Sequence, residues 1–280
     1  MVKVSDAIDA SYDILKNKVP SARFEAELVV SHVLQKDRLR LLIDKNQQVS
    51  PDDFDKIKSM SCKRACGVPL AYITGKKEFM SLEFKVNSSV LIPRPETEEL
   101  VSLIIGLYKG KRVRILDLCT GSGAICCALA HYLGDAICTG ADISADALTV
   151  ARENAQSLGV SDRCEFVCYD VLNPAGFEHQ FDIVVSNPPY IESHVIPSLE
   201  DTVKNNEPII ALDGGADGLS FYRKITNDID MYLKTGGMLF FEIGYNQGED
   251  LKNLMTARFN DIKIIKDLSG NDRIASGRLI

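Results

Sequence analysis

From Val113 to the C-terminus, strand-length apolar runs alternate with helix-length segments, and few folds satisfy that order. RVRILDLC, AICTGADI, CEFVCYDV, FDIVVS and MLFFEIGY read as strands. Most are near-continuous apolar runs, as expected of strands covered on both faces. AICCALAHYL, SADALTVARENAQSL, the stretch from Asp217 to Leu233 and another near Glu249 to Ala257 read as the helices between them. IKIIKDL and RIASGRLI close the pattern as strand candidates. Strands that alternate with helices imply an α/β fold with a mostly parallel sheet and helices on both faces.

The chain before Val113 has a different texture. Ile8, Tyr12 and Leu15 recur at helical spacing, and Ala22, Ala26, Val29 and Val33 do so again after Pro20-Ser21. Ser50-Pro51-Asp52-Asp53 is a helix start, with a capping serine, proline at the first helical position and acids where the dipole favours them. That helix carries Phe54, Ile57 and Met60 and is expected to end by Gly67. Residues 1–74 therefore read as a small helical bundle. PLAYITGKKEFMSLEFKV then mixes glycine with aromatic and β-branched runs, which predicts a β-hairpin linker over 75–92. Pro93 and Pro95 lead into a helix from Glu96 to Tyr108, and 93–280 form the α/β domain.

The formal net charge of −7 argues against a broad nucleic-acid-binding face. No apolar run approaches the ~18 residues a membrane helix needs, and MVKVSDAIDA has no signal-peptide core. The eight cysteines form no C-x-x-C pair and there are four histidines, so no metal site is expected. Free, buried thiols in a reducing cytoplasm are the expectation.

The chemistry-bearing residues fall at the ends of predicted strands. Asp117-Leu118-Cys119-Thr120-Gly121-Ser122-Gly123 links the first strand to its helix, where ligands of open α/β sheets bind. The third glycine of a dinucleotide loop is missing, and no Gly-Lys-Ser/Thr completes a P-loop. Asp142 stands at the tip of the second strand, suited to two ribose hydroxyls. Asp170 ends the third, placed to accept from an exocyclic amine. Three acids at successive tips disfavour a polyphosphate and suit an adenosine with a cationic or zwitterionic tail, such as S-adenosylmethionine. Each acid alone is equally a turn former, and Asp142, just before Ser144, competes as a helix-cap element.

Asn187-Pro188-Pro189-Tyr190 follows the fourth strand on the same sheet edge. Proline lacks an N–H, so this loop is stiff and rich in acceptors. The Asn187 side-chain oxygen and the Pro188 carbonyl can each accept one hydrogen of a substrate –NH2, and Tyr190 offers a flat face. Taken alone, the tetrapeptide is as readily a proline turn. Beside the glycine loop, the functional reading is the stronger.

DLCTGSGAI and FDIVVSNPPYI together resemble the amino-methyltransferases. PLAYITG, EFMSLEFKV, LIPRPETEEL and ALDGGADGL, in that order along the chain, resemble the release factor glutamine methyltransferases (the PrmC/HemK family) in particular. The resemblance covers essentially the whole chain. It implies a class I methyltransferase fold, Rossmann-like, with a mostly parallel seven-stranded sheet containing one antiparallel strand. It implies transfer of a methyl group from S-adenosyl-L-methionine to the side-chain nitrogen (N5) of the glutamine in the Gly-Gly-Gln motif of class 1 peptide chain release factors. Asp117 and Cys119 to Gly123 would then line the methionine part of the cofactor. Asp142 would hold the ribose, Asp170 and Val171 the adenine, and Asn187 to Tyr190 the glutamine amide. The helical bundle would recognise the protein substrate. A cytoplasmic monomer without membrane or direct nucleic-acid partner is implied.

Two positions depart from the family pattern. Cys119 replaces a loop glycine, so φ > 0 is not expected there. The chain lacks tryptophan, and Met80 and Val171 stand where some relatives carry one. Arg94, Thr97 and Glu98 fall in a stretch expected to border the site, with Thr97 also readable as a helix cap. A glutamine methyltransferase of a ribosomal protein and an N6-adenine or N4-cytosine methyltransferase are the alternatives of the same chemistry. A non-catalytic binding module on this scaffold and a nicotinamide oxidoreductase are the rivals of other classes.

Overall fold

A computed structural model describes residues 2–174 and 181–280 in two compact units. One comprises Met1–Gly75 with Glu200–Asn206, the other Lys76–Leu199 with Glu207–Ile280.

The first unit is helical: α1 (Val4–Leu15), α2 (Ala22–Leu34), α3 (Arg38–Ile43), α4 (Pro51–Ala65), α5 (Leu70–Thr74) and, in chain order, α9 (Asp201–Lys204). Val4, Ala7, Ile8 and Leu15 of α1 meet Ala26, Val29 and Val30 of α2 and Ile57 of α4 in one core. The buried Ser11 and Ser61 hydroxyls lie 2.7 Å apart, and Ser61 also donates to Ile57 O at 2.8 Å. Ser50 caps α4 by accepting from Asp53 N at 3.1 Å. The short helices α3, α5 and α9 escaped the sequence reading. α3 has its own cap, with Asp37 accepting from Arg40 N at 2.8 Å, but it exposes Leu39 and Ile43 and so lacks an apolar period. α5 is a single turn in PLAYITG, closed by Gly75 at φ +71°.

The second unit opens with a hairpin, β1 (Lys76–Phe79) against β2 (Leu82–Lys85). Its two turn residues are Met80 and Ser81, at φ +52° and +57°. Such a turn matches strand twist but favours Asn or Gly. Outside contacts hold it: Met80 N donates to Glu98 Oε1 at 2.8 Å, and Tyr132 Oη donates to Met80 O at 2.6 Å. Glu98 thus braces the hairpin.

The remaining elements are α6 (Pro95–Tyr108), β3 (Arg114–Leu118), α7 (Ala124–Tyr132), β4 (Ile137–Asp142), α8 (Ala145–Ser157), β5 (Cys164–Cys168), β6 (Phe181–Ser186), α10 (Ser220–Asn227), β7 (Leu233–Glu242), α11 (Gly248–Met255), β8 (Phe259–Lys266) and β9 (Asp272–Leu279). The seven-stranded sheet runs β5-β4-β3-β6-β7-β9-β8. β9 is antiparallel to both neighbours, and the other pairings are parallel. This is the expected seven-stranded methyltransferase sheet. Its two faces carry separate cores. One includes Leu100, Ile104, Cys126, Leu129 and Ile183, the other Leu116, Val184, Tyr222, Phe241 and Leu251.

Three expectations need correction. The helix read from Asp217 to Leu233 is only α10. Gly218, at φ +71°, delays its start, and the apolar spacing that ran on through Ile229 belongs to a 3-10 turn leading into β7. Thr97 caps nothing, because α6 starts earlier, with Arg94 at the cap position. The cysteines are all free, but Cys62, Cys66 and Cys168 are exposed. The first two lie on and beyond the outer face of α4, and Cys168 ends the edge strand β5. No helix among the described residues is long and apolar enough to cross a membrane.

Candidate active site

The strand order makes β3 and β6 neighbours, so the loops that leave their carboxyl ends share one edge. The loop after β3 is held in part by its own residues. Asp117 is fully buried, and its Oδ2 accepts from Thr120 Oγ1 at 2.5 Å and from Cys126 N at 3.2 Å. Its Oδ1 has no partner. Burial pushes this carboxyl up to about 7 against those two donors, with Asp142 adding to the rise. Gly121 and Gly123 lie at φ +55° and +75°. A Cβ on Gly123 would come within 3.0 Å of Ala151 Cβ, so the loop can pack on α8 only with glycine there. Asn154 of α8 completes the hold, donating to Ser122 O at 2.9 Å and exchanging hydrogen bonds with the Lys85 backbone.

Cys119 overturns an expectation. It lies at φ +61°, so the position keeps the left-handed backbone of the glycine it replaces. That conformation costs a residue with a Cβ roughly 1–2 kcal/mol. Burial, then Asp142 and Asp117, push the Cys119 thiol well above its ordinary range, so it stays neutral beside the acids.

Asp142 both shapes the turn and faces the cavity. Its Oδ2 accepts from Gly121 N at 2.8 Å and its Oδ1 from Ser144 N at 2.9 Å. Burial raises its pKa, and those backbone donors oppose the rise. Ser144 caps α8. Asp170 accepts from Leu172 N and from Asn173 Nδ2, each at 2.8 Å, and the Asn173 contact leads in lowering its pKa.

Cys119, Gly121, Asp142, Asp170, Val171 and Asn187 line one cavity, together with Pro189. Its remaining wall is largely apolar, with Ile143, Leu172, Ile210 and Phe221 facing in. Ile143, Leu172 and Ile210 come from connections and Phe221 from the first turn of α10; none carries a motif, and the sequence reading missed them. Thr120, Ser122 and Gly123 are buried in the packing of the loop. Met80 belongs to the hairpin turn and is not among the lining residues, whereas Val171 is. The acids beneath a glycine-lined, partly apolar cavity suit an adenosine with a cationic tail. Among the described residues no cluster of His, Cys, Asp or Glu could hold a metal ion.

The loop after β6 is held from outside. Gly214 N donates to Ile191 O at 2.8 Å, and Ile191 N donates to Leu212 O at 3.0 Å. A Cβ on Gly214 would lie 2.7 Å from Tyr190 Cα and 2.8 Å from Pro189 O. One on Gly218 would lie 2.4 Å from Tyr190 O. The glycines of LDGGADGL thus let two backbone segments touch. Gln247 Nε2 donates to Tyr190 O and Gly218 O, each at 3.3 Å. The Tyr190 ring packs on the Tyr222–Phe241 core, and burial pushes its hydroxyl up to about 12.

The Asn187 side chain reaches α6, where Nδ2 donates to Thr97 Oγ1 at 3.3 Å. IPRPETE therefore borders the site through Thr97. Arg94 has a separate partner: Nη2 lies 2.5 Å from Oε1 of the buried Glu207. Glu207 opens the segment whose Pro208 and Ile210 wall the cavity.

A PrmC N-terminal domain profile matches residues 6–75, and a methyltransferase domain profile matches 109–266. A release factor glutamine methyltransferase of Clostridium acetobutylicum is 39% identical over 98% of this chain and 97% of its own length. One from Moorella thermoacetica is 40% identical over 91% and 90%. Among solved structures, a methyltransferase from Pyrococcus furiosus superposes with a TM-score of 0.53 over 72% of this chain and 90% of its own. At 17% identity that likeness speaks for the fold alone.

Proposed function

This chain belongs to the release factor glutamine methyltransferase family, and from that premise we propose how its residues carry the reaction. The enzyme transfers a methyl group from S-adenosylmethionine to the side-chain nitrogen of the glutamine in the Gly-Gly-Gln motif of class 1 peptide chain release factors. S-adenosylmethionine supplies that methyl on a positively charged sulfur. Cys119 to Gly123 take its methionine part through a close backbone approach, over the buried Asp117. Asp142 takes the ribose hydroxyls. Asp170 and Val171 flank the adenine, with Ile143 and Leu172 as further apolar cover.

Asn187, Pro188, Pro189 and Tyr190 receive the glutamine. An amide nitrogen is a poor nucleophile because its lone pair is delocalised into the carbonyl. Positioning is therefore the main task of the chain. The Asn187 oxygen and the Pro188 carbonyl each accept one amide hydrogen, aim the nitrogen and favour its pyramidal form. Well-oriented reactants save roughly 7–11 kcal/mol in favourable cases. The observation that carries this reading is the Asn187 amide itself. Its nitrogen is turned to Thr97, which leaves the oxygen to accept from the substrate.

Residues 1–74 recognise the protein substrate, 75–92 form the linking hairpin and 93–280 carry the chemistry. The protein works as a cytoplasmic monomer, and its partner is a protein with no nucleic acid involved. Incubation with labelled S-adenosylmethionine and a release factor tests the assignment. Label is expected on the wild-type factor and not on one with Gln→Ala in Gly-Gly-Gln. Label on neither rejects the assignment, and equal label on both moves the target elsewhere.

A further inference from the structure

We propose that Glu242 is a positioning residue for the methyl transfer, acting through Thr97 to fix which end of the Asn187 amide faces the substrate. The proposal rests on Asn187 being the residue that holds the substrate amide.

Ser186 of β6 pairs in parallel register with Phe241 of β7. The next residues, Asn187 and Glu242, therefore stand side by side at two strand tips. Glu242 is 1% exposed, and its Oε2 has no hydrogen-bond partner. A carboxyl buried in this way normally has a structural partner or a task. Thr97 and Asn187 lie against this carboxyl and, with the charge of Arg273 of β9, favour its ionised form.

An asparagine amide is nearly symmetric in shape, with a donor at one end and an acceptor at the other. Thr97 alone cannot choose between them, because a hydroxyl both donates and accepts. The choice is made one step further back. Once ionised, the carboxylate only accepts, and on this proposal it draws the Thr97 proton. Thr97 Oγ1 is then left to accept, and Asn187 must present Nδ2 to it, as it does at 3.3 Å. Oδ1 is consequently the end left for the substrate –NH2. Polarity runs in one direction, from carboxylate to hydroxyl to amide to substrate.

Burial, with Glu96 adding to it, pushes the Glu242 carboxyl up to about 7, and Thr97, Arg273 and Asn187 oppose that rise. The Tyr190 and Tyr222 hydroxyls also face this charge.

Glu242→Gln keeps the shape but adds a donor, so the direction is lost. Thr97→Val cuts the chain at its middle, and Thr97→Ser restores the hydroxyl. Steady-state kinetics with a release factor, S-adenosylmethionine titration and thermal melts test the idea on the full chain. Glu242→Gln and Thr97→Val are each expected to lower kcat about 10- to 100-fold, the usual cost of losing a group that orients another. Cofactor affinity should stay within about 3-fold, and Thr97→Ser should recover most of kcat. Because both act on one amide, the double variant should be no slower than the worse single one. Wild-type kcat in Glu242→Gln, fully multiplied effects in the double variant, or no recovery in Thr97→Ser would each overturn the proposal. Asn187→Ala serves as the control. If it keeps wild-type turnover, the assignment of Asn187 itself falls. If it is inactive while both Glu242→Gln and Thr97→Val are normal, only the role of Glu242 falls.

Discussion

The loops after β3 and β6 leave neighbouring strands at the same edge of one sheet, yet they are held in different ways. The first, Asp117 to Gly123, is held by its positive φ angles, by its internal Asp117–Thr120 bond and by the next two elements of the chain, through Asp142 at the tip of β4 and Ala151 and Asn154 of α8. The second, Asn187 to Tyr190, is held by residues far along the chain: Thr97, Gly214, Gly218 and Gln247. On the proposed assignment, the loop that takes a ligand of constant shape needs few remote supports, whereas the loop that aims the reacting group is fixed from several sides.

If that contrast is right, the two loops should fail differently. Asn187→Ala should give the largest effect, a fall in kcat of about 10²–10³-fold, comparable to deleting one hydrogen-bonding group at a reacting centre. S-adenosylmethionine affinity, read by calorimetry, should change by less than about 3-fold. Near-normal turnover would end the assignment. Gly214→Ala should come next. Its Cβ would press on backbone, which cannot move aside cheaply, and a shift of the order of 1 Å in a positioned group costs about 10²-fold. A wild-type cofactor affinity in that variant would sharpen the contrast, and a lost one would break it.

Gly123→Ala is the mirror experiment. It should weaken S-adenosylmethionine binding and lower stability by about 1–3 kcal/mol, through strain at φ +75° and the close approach to Ala151. At Cys119 the effect should be smaller and graded. Cys119→Ala keeps the left-handed backbone at little further cost, while Cys119→Val, branched at Cβ, should melt lower, by about 1–2 kcal/mol.

Asp117 adds a pH signature to the first loop. Its carboxyl is raised to about 7, so the folded state binds that proton more tightly than the unfolded chain. The contribution to stability is fully present below the ordinary carboxylate range and is lost as pH rises toward 7. Unfolding free energies from denaturant titrations of the wild type should fall between about pH 4 and 7, with Asp117 contributing on the order of 4 kcal/mol. Asp117→Asn should flatten that fall in part, because Glu242 titrates in the same direction. An unchanged slope would count against the buried charge.

The same contrast explains what the sequence made legible. β3 to β7 announce themselves because strands covered on both faces are nearly unbroken apolar runs. The glycine loop is legible because its constraints are local, with one exception. A cysteine in a left-handed position looks no different, as a letter, from a cysteine anywhere else. The second loop shows only its prolines. That Asn187 meets Thr97, or stands beside Glu242, follows from β6 lying next to β7 and from α6 reaching the sheet edge. No spacing along the chain encodes either fact. α3 was invisible for another reason, since its apolar side chains are largely exposed and carry no inward period.

The seven residues Glu200–Asn206 have a further consequence, because they belong to the first unit although the second surrounds them in the chain. Asn206 donates to Gly67 O at 3.2 Å there. The polypeptide thus crosses from one unit to the other three times, at 75/76, 199/200 and 206/207. A protease that nicks the chain near residue 75 leaves Glu200–Asn206, part of the helical unit, covalently within the other fragment. Deletion of the first 75 residues does not give a clean half either, since it strands that segment without its surroundings. The helical unit is thus completed by a segment encoded within the other.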